Sequence, residues 1–344
     1  MIMKRSGCLE FLRFIAAISI VVLHFEWICI GQPRFFRHLY VYVEFFFIIS
    51  GFFLAMNATE NINLNAIKYT MIQFKKLYPL YAVAFVMSFI VDRILSSCSV
   101  AEMIKSLWDA KWELILVYIF NFDNVNSYNG GGAAAYIPVL LISTLPLFYI
   151  IQNKKEMFKA FAPMLIIINL SYIIRMNGYL SVWNETKFII PMGLIRGLTE
   201  MTFGAICYLI VFPYIKSLKK VYIYFLFTIS VVSCTLLILL QNSIKNQDLV
   251  IWILIFGIMI MTSMLIDIPE KINSFFCILG RMSYPLFLFH YPVLVLVNKI
   301  FCEEKYLLKM IYVFVGLVVV ILVINIVRLA GLLFKRKIKV KLFN

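Results

Sequence analysis

The sequence predicts an all-α, polytopic membrane protein of about ten transmembrane helices, and three observations carry that reading. Hydrophobic residues fill 63% of the 344 positions and charged residues only 14%, whereas soluble domains carry roughly 25% charge. The apolar residues come in runs of about twenty, the length that crosses a ~30 Å hydrocarbon core. Most remaining charges fall in the short segments between those runs. A single soluble core cannot hide this much apolar surface, so lipid has to be the solvent for much of it.

Taken in order, spans are expected near 9–30, 39–58, 77–96, 134–151, 158–174, 188–212, 221–241, 249–267, 275–298 and 308–334. The first run follows Lys4-Arg5, contains Arg13 and lacks a small-residue cleavage site, so it reads as a retained helix and not as a removable signal. The run at 112–122 is too short to cross comfortably and is assigned a re-entrant or interfacial course. Charge counting tests that assignment. With the N-terminus inside and ten spans, the inner segments carry seventeen Lys and Arg and the outer segments eleven. Counting 112–122 as a crossing reverses the bias for every later loop, so ten spans with both termini cytoplasmic are preferred. The longest polar stretches, 97–111 and 121–133, share one outer loop, in which Gly130-Gly131-Gly132 reads as a flexible connector. No internal repeat or appended soluble segment is evident, and 1–344 is read as a single membrane-embedded domain.

The formal net charge of +15 would suit a nucleic-acid binder. Lys and Arg placed between apolar runs follow the positive-inside rule instead, so the bilayer is the expected partner and nucleic acid is not. The seven cysteines form no CxxC pair and no metal-ligand spacing, and no resident metal or cofactor is expected. Cys8, Cys29, Cys207, Cys234 and Cys277 lie in or beside apolar runs and read as small hydrophobes. Cys98 and Cys302 fall in outer loops, close enough in topology to allow a disulfide.

Charges at membrane depth are costly and usually face a cavity or a partner. Arg13 and His24 lie eleven residues apart on the first span, three turns, hence on nearly one face and about 16 Å apart along the axis. Glu44 on the second span is expected near the depth of His24, with Ser50 and Gly51 following towards mid-membrane. Arg196 and Glu200 form an i,i+4 pair, and His290 lies past mid-depth on the ninth span. Structural readings stand beside these. Arg13 can snorkel to the inner interface, Arg196 and Glu200 can be a structural ion pair, and His290 can simply bond a helix carbonyl. His38 sits near a loop and is expected to be solvated. His24 with Glu44 is the usual arrangement of a general base and its orienting carboxylate. These residues describe a polar cavity in a polytopic chain and do not separate an enzyme from a transporter.

At these residues the sequence resembles membrane acyltransferase family 3. The first span has the family's Arg, ten residues, His pattern in Arg13 and His24. Glu44-Phe45-Phe46-Phe47-Ile48-Ile49-Ser50-Gly51 is similar to its acidic-x-Phe-Phe-x-x-Ser-Gly segment. Lys75-Lys76-Leu77-Tyr78-Pro79 resembles its basic run ending in Tyr-Pro, and Arg196-Gly197-Leu198-Thr199-Glu200 through Gly204 its Arg-Gly…Glu…Gly helix. Leu279-Gly280-Arg281-Met282-Ser283-Tyr284, running on to His290, is close to its Leu-Gly-x-x-Ser-Tyr-x-x-Tyr-Leu-x-His pattern. Each motif alone is weak, but all five fall in the family's order. There are departures. Gln73 and Lys76 stand where two arginines are frequent, and lysine offers charge to a phosphate without the bidentate fork. The central loop has Asn129-Gly130-Gly131-Gly132 and Ala135-Tyr136-Ile137 in place of the Trp-Ser-Leu-x-x-Glu segment of longer members, which leaves the roles in that loop unassigned. No soluble esterase-like domain is expected after the last span.

The resemblance implies a multi-pass protein of the cell membrane, expected to be a bacterial inner or plasma membrane. It implies transfer of an acyl group, usually acetyl, from cytoplasmic acyl-CoA to a hydroxyl of a surface polysaccharide or lipid-linked oligosaccharide. His24, Glu44 and Arg13 would then be catalytic. Ser50, Gly51, Lys75, Lys76, Arg196, Glu200 and His290 would bind substrate. Ser50, Arg196 or the Gly51 amide would stabilise the oxyanion, and an acyl-His intermediate is an alternative to direct attack. A secondary transporter or flippase of glycan assembly also needs intramembrane Arg, His and Glu, but usually shows paired repeats with broken helices. A structural partner in a glycan-assembly complex would need no reactive base.

Overall fold

The computed structural model describes residues 6–32, 37–61, 63–116, 132–178, 190–240 and 248–342. Helix α1 spans Gly7–Ile30; a short turn at Leu39–Val41 leads into α2, Tyr42–Glu60; and α3 spans Ala66–Leu95. The segment between α3 and α6 holds α4, Val100–Asp109, and α5, Lys111–Leu114. Then come α6 (Gly132–Asn153), α7 (Lys155–Asn177) and α8 (Met192–Ile206), which continues through a π-helical turn into α9 (Phe212–Ser217). The remaining helices are α10 (Lys220–Leu240), α11 (Asp248–Ser263), α12 (Glu270–Ile300) and α13 (Tyr306–Leu342). Among the described residues nine helical stretches are long and apolar enough to cross a membrane, with α8 and α9 counted as one, and α11 is a shorter apolar helix. The ten expected spans are therefore present as nine long stretches and one short one. The polar stretch beyond Leu116, with Gly130 and Gly131, lies outside the described residues, as do Lys4 and Arg5.

Two parallel helix pairs set the architecture. Along α1 and α12, the Gly7 amide donates to Asn273 Oδ1 at 2.7 Å, the rings of Phe11 and Phe276 stack at 4.4 Å, and Asn298 Nδ2 donates to the Ile28 carbonyl at 3.0 Å. The register advances together on both helices, so they run the same way. Helices α2 and α8 do likewise. Glu44 meets Arg196 at one end and Tyr208, just beyond α8, donates to Glu60 at the other. Between them a Cβ on Gly51 would lie 1.9 Å from the Met201 carbonyl oxygen, and one on Gly204 would lie 2.0 Å from that of Ile48. The two backbones touch there, which only glycine permits.

These directions test the crossing count. Two helices that run the same way are separated by an odd number of crossings. An extra crossing at 112–122 would set α1 and α12 antiparallel, and they are parallel. Helix α6 also runs with α2: Tyr136 donates to the Phe46 carbonyl near one end, and Gln152 donates to the Leu64 carbonyl at the other.

Two expectations are corrected. His38, immediately before the turn that leads into α2, is buried, 7% exposed, and so is not solvated. Cys98 and Cys302 are both free thiols, and Cys98 faces the Arg93 guanidinium in the last turn of α3.

Candidate active site

The site is built where α12 lies along α1. Six residues before the end of α1, His24 projects towards His290 of α12, and the ring centroids are 4.8 Å apart. His290 Nδ1 lies 2.7 Å from the Phe287 carbonyl, and His24 Nδ1 lies 3.0 Å from the Ile20 carbonyl. A carbonyl only accepts, so each Nδ1 carries a proton. With one proton on each ring, His290 Nε2 presents a lone pair. That lone pair lies 3.1 Å from His24 Nδ1, whose N–H it shares with Ile20. The remaining nitrogen, His24 Nε2, is then an unprotonated imidazole nitrogen, and His24 is half-buried, not sealed. The helix-carbonyl reading of His290 and its place beside a reactive group are thus both present in one side chain.

Glu44 does not touch His24. Its carboxylate accepts from Arg196 Nε at 3.0 Å and from Arg196 Nη2 at 2.5 Å, a bidentate pair. Both side chains are essentially inaccessible, 1% and 0% exposed. The azimuth of Glu44 is set by the Gly51–Gly204 contact, which turns this face of α2 towards α8. Glu200, also fully buried, approaches Arg196 Nε at 3.4 Å. One guanidinium therefore serves two carboxylates, and the anticipated Arg196–Glu200 pair is a triad whose tighter contact is with Glu44. Gly51 is a packing glycine whose amide lies inside the α2 ladder.

Between the histidines and the triad lies an aromatic group. Phe287 packs against His290 at 6.1 Å, Tyr136 of α6 meets Phe287 edge-on at 5.3 Å, and Phe46 contacts both. Ser50 donates to the Phe46 carbonyl at 2.7 Å, and the Tyr136 hydroxyl reaches the same oxygen at 3.3 Å. Tyr136 is a polar residue of this region that sequence reasoning left without a role. Its signal was a lone phenol in the small and apolar run Ala135-Tyr136-Ile137.

Nearer the N-terminal end of α1, Arg13 donates to both oxygens of Glu10, at 3.2 and 3.1 Å, and keeps 26% of its side chain exposed. Glu10 is buried against Gly280, where a Cβ would meet its Oε2 at 2.1 Å. Glu10 was also missed, although its i,i+3 spacing to Arg13 was readable. Lys75 and Lys76 are exposed on α3, just before Pro79. The Leu77 carbonyl between them and Pro79 accepts from Tyr284 of α12 at 2.7 Å, which ties the basic run to the helix that carries His290. The shallow hollow on α3 lined by Ala82, Val83, Val86 and Ile90 is apolar and holds none of these groups.

Among the described residues no group of three or more His, Cys, Asp or Glu is arranged to hold a metal ion. A family model described as an acyltransferase domain matches residues 6–328, nearly the whole chain. None of the curated proteins and none of the solved structures compared with the chain matches it.

Proposed function

From the premise that this chain belongs to acyltransferase family 3 and is a multi-pass membrane acyltransferase, we propose that it transfers an acyl group, acetyl in the first instance, from cytoplasmic acyl-CoA to a hydroxyl of a surface polysaccharide or lipid-linked oligosaccharide, with His24 as general base. The observation that carries this reading is the His24–His290 contact, in which both Nδ1 protons are held and His24 Nε2 is left to accept one.

The acceptor oxygen attacks the thioester carbonyl while His24 Nε2 removes the hydroxyl proton. A C–O bond forms, the tetrahedral intermediate collapses with loss of the C–S bond, and His24 returns the proton to the departing thiolate. His290 is a positioning residue: its Nε2 accepts from His24 Nδ1 and supports the positive imidazolium. It takes the part that sequence alone gave to Glu44. Arg196 is committed to Glu44, and the Gly51 amide is spent inside a helix. Ser50 and Tyr136 both direct their hydroxyl protons at the Phe46 carbonyl, so either would serve the oxyanion only by turning away from it. Arg13 stands about 16 Å from His24 along one unbroken helix, similar to an extended pantetheine arm. Lys75 and Lys76 supply exposed charge for CoA phosphates on the inner side. The thioester can thus reach an outer-half base while CoA stays cytoplasmic.

The test supplies radiolabelled acetyl-CoA to the cytoplasmic face of membrane vesicles that contain the protein. Label is expected in polysaccharide with the parent chain and not with His24→Ala at equal membrane abundance. Label that persists without His24 sinks the mechanism, and saccharide translocated without becoming labelled points to a flippase.

A further inference from the structure

Arg281 has no part in the reading so far. It is exposed on α12, nine residues before His290, and makes no hydrogen bond or ion pair with any described residue. Two contacts fix where it stands. Gly280, the residue before it, lies against Glu10 of α1, whose carboxylate holds Arg13 through two bonds. Tyr284, one turn after it, donates to the Leu77 carbonyl of α3 at 2.7 Å. Leu77 directly follows Lys75 and Lys76, both exposed. One crossing, α2, separates α3 from α1 in the chain, so α3 runs with α1 and with α12. The turn of α12 before Tyr284, which holds Arg281, therefore lies beside the turn of α3 before Leu77, which holds the two lysines. Packed helices stand about 8–10 Å apart axis to axis, so long side chains from such adjoining turns can meet on one ligand.

Arg13, Lys75, Lys76 and Arg281 thus gather from three helices at one end of the bundle. The carboxylate tied into this group is Glu10, and Arg13 takes both its oxygens. Lys75, like Arg281, has no carboxylate partner among the described residues. Like charges held together repel one another, and a bound polyanion relieves that repulsion. The spacing to the histidines agrees on both helices. From Arg281 to His290 is about 14 Å along α12, and from Arg13 to His24 about 16 Å along α1. An anion held by these side chains therefore stands one such length from the histidine pair, whichever helix is followed. Arginine also adds what the lysines lack, a planar fork that takes two oxygens of one phosphate.

We infer that Arg281 binds the phosphates in the nucleotide half of acyl-CoA and makes the protein select a nucleotide-bearing thioester over a bare pantetheine thioester. The selection of the donor rests on the acyltransferase reading above; the phosphate site does not. A lipid headgroup carries the same phosphate chemistry, so the test is arranged to tell the two sources apart. The full chain is purified in an uncharged detergent, and transfer of radiolabel is followed to the host's surface polysaccharide, stripped of its acyl groups with dilute alkali. Two donors are compared: acetyl-CoA, and S-acetylpantetheine, which has the same thioester and no phosphate.

Arg281→Gln is expected to raise the KM for acetyl-CoA about tenfold or more, the worth of a hydrogen bond to a charged group, with the KM for S-acetylpantetheine unchanged. Arg281→Lys keeps the charge without the fork and should recover part of the loss. An unchanged KM for acetyl-CoA, or an equal loss with both donors, overturns the assignment. The same comparison is made in phosphatidylcholine vesicles with and without phosphatidylglycerol. A loss that appears only with the anionic lipid gives the arginine to lipid headgroups and also overturns it. A parent chain that transfers from neither donor overturns the acyltransferase reading and the donor selection with it. Binding of radiolabelled CoA by equilibrium dialysis, expected to be about tenfold weaker in Arg281→Gln, then decides the phosphate site alone, and equal binding by parent and variant, or none by the parent, sinks it.

Discussion

Replacing Arg196 by glutamine is expected to cost the fold more than replacing Glu44 by glutamine, although the two form one ion pair. The reasoning is a count of buried charge. Arg196 is fully buried and holds Glu44 through two bonds at 2.5 and 3.0 Å and Glu200 at 3.4 Å. Removing the guanidinium leaves the buried Glu44 carboxylate with no cation and takes from Glu200 the same neighbour. Breaking a buried pair from one side costs about 3–5 kcal/mol, and here a second buried carboxyl group loses its contact as well. Glu44→Gln leaves one cation facing one carboxylate and keeps a carbonyl oxygen in place. It loses about one charged hydrogen bond, some 1.5–3 kcal/mol. At about 2 °C per kcal/mol for a large chain, Arg196→Gln should melt at least 6 °C below the parent and Glu44→Gln about 3–6 °C below it. The assay is loss of monodisperse protein in detergent after heating, read by size-exclusion chromatography. Equal losses, or a lower midpoint for Glu44→Gln, would refute the view that the arginine is the hub.

Other outcomes follow from the same contacts. His24→Ala should reduce transfer by a factor of about 10²–10⁴, His290→Ala should reduce kcat less, and the double variant should match His24→Ala, because a positioning residue has nothing left to position; steady-state rates on one membrane preparation check this. Gly51→Ala and Gly204→Ala should each lower membrane abundance on immunoblots, since a Cβ would overlap the facing backbone. Lys75→Ala with Lys76→Ala should weaken acetyl-CoA binding, more so at high salt, by equilibrium binding to membranes. The Ser99 amide and hydroxyl hold the Glu102 carboxyl below the usual carboxylate range. Its folded value is then below its unfolded one, so the capping box at the start of α4 is intact above the ordinary carboxylate value near pH 4–5 and is lost as pH falls through the depressed value. Amide exchange at residues 100–103 should speed up only in acid.

The spans were legible in the sequence because finding them is a matter of counting along apolar runs. That count put His24, Glu44 and His290 on the helices that carry them, and the parity expected from the loop charges agrees with the parallel α1–α12 pair. Azimuth was not legible. Which face of α2 meets which neighbour depends on where two backbones can touch, and Gly51 with Gly204 decides it. Glu44 was consequently matched to His24 when its partner sits on α8. Residues 97–111 were read as a polar loop because their charges drew the eye. The i, i+4, i+7, i+8 stripe of Val100, Ile104, Leu107 and Trp108 was present and is a helix signal. The tautomers of His24 and His290 depend on Ile20 and Phe287 carbonyls, which no side-chain pattern announces.

The residues that meet at His24 and His290 are 266 positions apart, and that separation bears on how the protein is made. Translation at about 5–20 residues per second leaves α1 in the bilayer for roughly ten to fifty seconds before α12 emerges. During that interval Glu10, Arg13, His24 and Glu26, of which Glu10 and Glu26 end up buried, lack the groove that will cover them. Helix α1 must therefore wait near the insertion machinery, at the interface or against a chaperone, until its late partner arrives. A chain interrupted before α12 holds every other helix of the site and still cannot shelter its first one. Quality control of this protein thus has a natural signal in an uncovered, charged first helix.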